Sequence, residues 1–200
     1  MATSSLPSPL YACLTAHSAS RGALVIAFLW GLAEATVFFL VPDIYLGLVA
    51  LFNWRQGLRA TLVTVAGALI GGAIMYALAA SNGAVMNQFL SHVPLINADT
   101  VNSVAEQMRA DGLSALVTGP LQGIPYKVYA AQAGRQGLPL LPFLLITIPA
   151  RLERILPVAL AGAVAGVLFK RFVQKYTRLI VGAYALMWAG IYILYYLRFR

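Results

Sequence analysis

Gly22-Ala-Leu-Val-Ile-Ala-Phe-Leu-Trp30-Gly-Leu-Ala-Glu34-Ala-Thr-Val-Phe-Phe-Leu-Val-Pro42-Asp43 is an apolar run long enough to enter a lipid bilayer, and it is interrupted twice. Glu34 falls twelve residues into the run, roughly mid-depth for a span of about 20 residues. A carboxylate at that depth costs several kcal/mol, on the order of 2–4, unless it is paired, protonated or hydrated. Pro42 then removes a backbone donor and ends the helix, leaving Asp43 at the break. Backbone that leaves helical geometry inside lipid survives only where protein or a wet cavity covers it. The stretch therefore predicts a broken hairpin, continuing to Phe52, rather than a simple span.

The rest of the chain repeats this theme. Leu58–Ala80 is an uninterrupted apolar segment with Gly67 and Gly71 at GxxxG spacing, which lets a second helix approach closely. Leu113–Ala133 is again apolar and again broken, by Gly119-Pro120-Leu121-Gln122-Gly123-Ile124-Pro125. Leu138–Phe169 holds Pro149, Pro157 and the charged group Arg151, Glu153 and Arg154, and Leu179–Leu197 is apolar with Tyr184, Trp188, Tyr192, Tyr195 and Tyr196. Those rings suit an interfacial aromatic belt. Of 200 residues, 60% are hydrophobic and 10% charged, too few polar groups to coat a soluble domain that would carry about 25% charge.

The predicted fold is thus an all-α, multi-pass membrane protein: two inverted re-entrant helical hairpins plus about three spanning helices. A short N-terminal tail (1–21) has no early basic cluster and does not read as a cleavable signal. One membrane domain (22–197) follows, with repeat 1 at about 22–80, an amphipathic helix at 99–111, repeat 2 at about 113–169 and a final span at 179–197. In the amphipathic helix Val101, Val104, Ala105 and Met108 share a face, Asp99 can cap the start and Gly112 supplies the stop. It either lies on the membrane surface or packs on the protein itself.

Charge supports this topology. The net charge of +8 lies mainly at segment ends. Re-entrant hairpins put Arg21, Arg55, Arg59 and the loop Lys170, Arg171, Lys175, Arg178 on one side, and the acids Asp99, Glu106 and Asp111 on the other. The positive-inside rule makes the first side cytoplasmic, with the N-terminus and loop 170–178 there and the plasma (inner) membrane as location.

Paired interruptions point to a transport site near the midplane. Glu34 and Asp43 are the candidates for proton or cation coupling; Lys127, Arg151, Arg154 and Gln122 are the candidates for binding a phosphate; Pro42, Gly119, Pro120, Gly123 and Pro125 form the hairpin tips. Each charge has a plainer alternative. Glu34 as a protonated acid bonds a neighbouring helix, Asp43 caps a helix from Ile44, and Lys127 snorkels to an interface. Arg151-Leu-Glu-Arg154 is either a charged stretch of a bent helix or an interfacial loop. His17 and His92 lie outside the apolar segments, Cys13 stands alone, and no phosphate loop or serine elbow occurs. The chain reads as a non-enzyme without metal or other cofactor, and its basic residues are not a nucleic-acid signature.

Residues Ala27–Gly166 resemble the DedA family, also called SNARE-associated or VTT-domain membrane proteins. Glu34 and Asp43, with Pro42 between, are similar to the acids and proline of that family's first hairpin. Gln122-Gly-Ile-Pro125-Tyr-Lys127-Val, then Ala133-Gly134 and Phe143, is similar to its second hairpin, Arg-Phe-x-Pro-x-x-Arg, then Ala-Gly and a Phe-bearing helix. Gln122 stands in place of the first arginine and Val128 in place of the second, with Lys127 one residue early, and the glutamate–proline spacing is short, so the resemblance is to a divergent branch. It implies two inverted re-entrant hairpins and lipid transport: return of undecaprenyl phosphate coupled to the proton motive force in bacterial members, phospholipid scrambling in eukaryotic ones. The expected function is a transporter or flippase for an anionic membrane lipid, with proton or cation coupling and room for a homo-oligomer. A structural or assembly factor of the membrane, and a small-solute or ion permease, are the rivals.

Overall fold

The computed structural model describes residues 8–94, 96–119 and 123–198, with side chains to 197. Among these the chain is all-helical. The segment read as a tail is helical from Pro9, with Ser8 capping the start: α1 covers Pro9–Ala19 and turns by 70° into α2, Arg21–Thr36. Helices α3 (Asp43–Phe52) and α4 (Trp54–Ser81) follow, then α5 (Gly83–His92) and α6 (Ala98–Asp111). A 3-10 turn at Gly112–Ser114 leads to the four-residue α7 (Ala115–Thr118), then α8 (Tyr126–Arg135) and the long α9 (Leu140–Leu168). Short α10 (Lys170–Lys175) and α11 (Thr177–Arg198) close the chain.

Helices α4 and α11 are long and apolar enough to cross a membrane, and the bent α1–α2 pair is a third candidate. Helix α9 is as long as α4, about 43 Å at 1.5 Å per residue, but carries three charges near its middle. It runs unbroken through Pro149 and Pro157, so Arg151-Leu-Glu-Arg154 is a stretch of helix and not an interfacial loop.

Helices α2 and α4 run side by side in the same direction. Gln56 Nε2 donates to Ser20 O (3.1 Å), Thr64 Oγ1 to Ala27 O (3.1 Å), and Gly71 meets Leu32 and Ala35 farther along. Gly67 lies directly against the Phe28 carbonyl, where any side chain would collide with backbone; the GxxxG pair thus admits α2, as its spacing predicted. Helix α3 then returns, so that Ala50 rests on Gly57 at the start of α4. The chain leaves this first hairpin beside the point where it entered.

The second hairpin opens at the other end of α4. Gly119 lies against the Tyr129 ring, so the two legs double back, and α8 follows α4 with Gly134 on the Tyr76 backbone. Helix α9 runs antiparallel to α4 and alongside α3, with Gly162 on the Gly47 carbonyl and Gly166 on the Leu51 carbonyl. The entry leg is short, the 3-10 turn and the four-residue α7 together covering 112–118, up to the break read at Gly119.

Helix α6 packs on the protein. Val101, Val104, Ala105 and Met108 are buried, and Gln132 and Gln136 of α8 donate to the carbonyls of Val101 (3.3 Å) and Ala105 (3.1 Å). Its cap is Asn97, whose Oδ1 accepts from Thr100 N at 2.8 Å; Asp99 sits in the first turn, where its charge favours the helix dipole. Gly112 ends the helix at φ +61°, the left-handed region that glycine adopts without cost.

Candidate functional site

The tips of the two hairpins meet midway along α4 and α9. In the first, Pro42 O accepts from Tyr45 N and Leu46 N, each at 3.0 Å, and starts α3. In the second, Gly123 takes φ +88° and Pro125 precedes the first turn of α8. Pro120 and Gln122 lie outside the described residues. Lys127, on the first turn of α8, crosses between the tips and donates from Nζ to Phe38 O at 2.7 Å. It is 2% exposed, so it does not snorkel to an interface.

Four of the predicted charges form two ion pairs, each linking the first hairpin to α9. Arg151 is 1% exposed and grips Glu34 through both terminal nitrogens, Nη2 to Oε2 and Nη1 to Oε1 at 3.4 Å. The guanidinium also lies 5.1 Å from the centre of the Tyr126 ring, a favourable cation–π arrangement in a desolvated setting. Tyr126 is held by its hydroxyl against Thr147 Oγ1 (3.1 Å), which itself donates to Phe143 O (2.8 Å). One turn on, Arg154 Nη2 stands 3.7 Å from Asp43 Oδ2. Asp43 is the first residue of α3, and its Oδ2 is buried without a hydrogen bond and turned to Arg154. Arg151 and Arg154 share a face as their spacing requires, and Glu153 is exposed on the far side of α9.

The two pairs differ in closure. In Glu34–Arg151 the guanidinium is enclosed by protein and only the Glu34 side reaches the cavity wall. Asp43–Arg154 borders a cavity of about 400 Å³, and the Arg154 side chain is 24% exposed against 4% for that of Asp43. Glu34, Asp43, Lys127 and Arg154 line this cavity, with Val93, Pro94 and Ile96 of the α5–α6 link and apolar groups of both tips completing the wall. Three cations face two acids, so the cluster carries one cation, Lys127, that has no carboxylate partner among the described residues. Among those residues no three His, Cys, Asp or Glu side chains come together as a metal site would need.

One part of the site escaped the sequence reading. Tyr184, Trp188, Tyr192 and Tyr195 make a single stripe along α11 that faces the tips, whereas Tyr196 is exposed. Tyr184 OH donates to Ile44 O (3.1 Å), Tyr192 OH accepts from Val41 N (2.7 Å), and Tyr195 OH donates to Gly123 O (2.8 Å). Two of the hydroxyls, of Tyr192 and Tyr195, thus reach non-helical backbone of the tips, and that of Tyr184 reaches the first turn of α3. The signal was present as spacing: positions 184, 188, 192 and 195 fall on one helix face.

Compared with known proteins, the chain matches no family model, no curated protein and no solved structure.

Proposed function

We propose that the chain is a membrane transporter or flippase for an anionic lipid, of the undecaprenyl phosphate or phospholipid class, with Glu34 or Asp43 able to carry the coupling proton. The observation that carries this reading is the cavity between the hairpin tips: largely apolar walls and a charged floor of Glu34, Asp43, Lys127 and Arg154, with Arg151 buried behind Glu34 so that three cations stand with two acids. Such a site suits an amphiphile whose chain lies on apolar surface while its phosphate meets Arg154 and Lys127. Ligand sites of this kind combine apolar lining with a few placed polar groups. The resemblance to DedA proteins supports the same reading, as does the pair of hairpins opening at opposite ends of α4.

In the proposed topology both hairpins are re-entrant, and Arg21, Arg55, Arg59, Lys170, Arg171, Lys175 and Arg178 face the cytoplasm. These seven cations gather at the end of the bundle where α4 begins and α9 ends, with no acid among them; a basic end of this kind is retained on the cytoplasmic side. Single cysteines at Asn102 and Arg171, on a Cys13→Ser background, are expected to react with an impermeant thiol reagent from opposite sides. Labelling of both from one side would remove the re-entrant arrangement.

Transport itself is tested with purified protein in liposomes carrying a fluorescent lipid phosphate. Wild-type protein is expected to expose inner-leaflet label to an external quencher about tenfold faster than protein-free liposomes or than the Arg154→Gln variant, a difference of about 1.4 kcal/mol in barrier. Equal rates in all three would leave the bundle as a structural factor whose ion pairs only hold helices together.

A further inference from the structure

We infer that the two ion pairs do different work: Glu34–Arg151 is a fixed strut, whereas Asp43–Arg154 is an exchangeable pair in which the ligand's phosphate takes the place of the Asp43 carboxylate. This rests on the proposed anionic ligand and adds which groups bind it. The distinction is geometric. Arg151 is 1% exposed, spends both terminal nitrogens on Glu34 and lies on the Tyr126 ring, so an incoming anion has no face to approach. Arg154 makes no hydrogen bond among the described residues, meets Asp43 only at 3.7 Å and opens on the cavity.

Asp43 is the complementary half. Its Oδ2 is buried with no hydrogen-bond donor, so the contact with Arg154 is an ion pair at long range and not a bonded fork. A phosphate in the cavity offers Arg154 two oxygens in the bidentate geometry a guanidinium prefers. Lys127 Nζ has donor capacity beyond its bond to Phe38 O and lines the same cavity. Asp43 therefore acts as a resident competitor that holds Arg154 when the site is empty and is displaced when it fills.

The test is equilibrium binding in phosphatidylcholine nanodiscs, titrating phosphatidic acid and, separately, inorganic phosphate, read by the fluorescence of Trp188 in the cavity wall. Wild-type protein is expected to give a saturable response to phosphatidic acid. Arg154→Gln weakens it by about tenfold or more, as loss of a charge-assisted bidentate contact requires. Asp43→Asn tightens it by about threefold or more, because the competitor has lost its charge. If Asp43→Asn fails to accumulate, Arg154→Lys serves instead: it keeps a charge opposite Asp43, so a purely structural pair leaves affinity unchanged, while exchange predicts about a threefold or greater loss. Weaker binding in Asp43→Asn, or unchanged binding in Arg154→Lys, overturns the exchange and leaves the lipid site standing. No saturable response of wild-type protein to either anion overturns the anionic-ligand reading itself. A response to inorganic phosphate equal to that for phosphatidic acid, with the same two mutant shifts, supports exchange and assigns the site to a free anion.

Discussion

Arg151→Met is expected to lower the unfolding free energy by about 3–5 kcal/mol, the cost of breaking a buried ion pair from one side. The double variant Glu34→Leu/Arg151→Met should recover most of that loss. Glu34 and Arg151 side chains are 5% and 1% exposed and join α2 to α9, elements 117 residues apart in sequence. Removing the guanidinium alone strands a buried carboxylate with no other described cation in ion-pair contact. Removing both charges returns the site to apolar packing, which for buried pairs is often neutral or stabilising. Reversible denaturation of the purified protein in neutral detergent, followed by circular dichroism, measures the cycle. Coupling between the two sites of less than about 0.5 kcal/mol, the level expected of independent positions, would show that the pair is not the strut described. The same reasoning makes Glu34→Gln a poor probe of proton coupling, since the amide leaves Arg151 uncompensated and any loss of transport follows loss of fold.

What the sequence made legible was the expense of its charges. An acid twelve residues into an apolar run and a basic pair among Leu, Ile and Pro can be singled out without coordinates, because either is tolerated in lipid only for a reason. Who pairs with whom was not legible. Glu34 could have met Lys127, Arg151 or Arg154, and only the stacking of α9 beside α2 and α3 assigns the partners. The plain alternative for Lys127 fails for the same kind of reason, since it has a carbonyl partner between the tips, and Asp43, whatever it does for the start of α3, faces a guanidinium. The contacts of the α11 aromatic residues were not legible either, because belts and stripes share a composition and differ only in periodicity. Helix α6 shows the converse limit, since an amphipathic face reports that something covers it and says nothing about whether that cover is lipid or α8.

Lys127→Met is expected to abolish transport, lowering the rate about tenfold to that of protein-free liposomes, or about 1.4 kcal/mol of barrier, while leaving the fold as stable as before or more so. Two features of the site pull its stability in opposite directions. Lys127 bridges the hairpin tips through Phe38 O, so its loss leaves one carbonyl short of a donor, a penalty of about 1–3 kcal/mol where the group stays buried. Yet Lys127 is also the third cation beside two acids, 2% exposed and held close to Arg151 and Glu34. Taking an ammonium out of water costs several kcal/mol, roughly the scale quoted for any buried ion, and here Glu34 offsets it only at a distance, without an ion-pair contact. The second term is larger, so a methionine of similar length relieves more than it breaks. On the proposed function, a buried cation without an ion-pair contact is kept, at the expense of stability, for the phosphate of the arriving lipid. Denaturation in neutral detergent together with liposome flux separates the possibilities. If Lys127→Met unfolds more easily by 1–3 kcal/mol, roughly the cost of an orphaned carbonyl, and its flux falls only in proportion to folded protein, the lysine is a tie between the tips. Unchanged or raised stability with lost flux identifies the excess positive charge as the part of the site that the lipid phosphate uses.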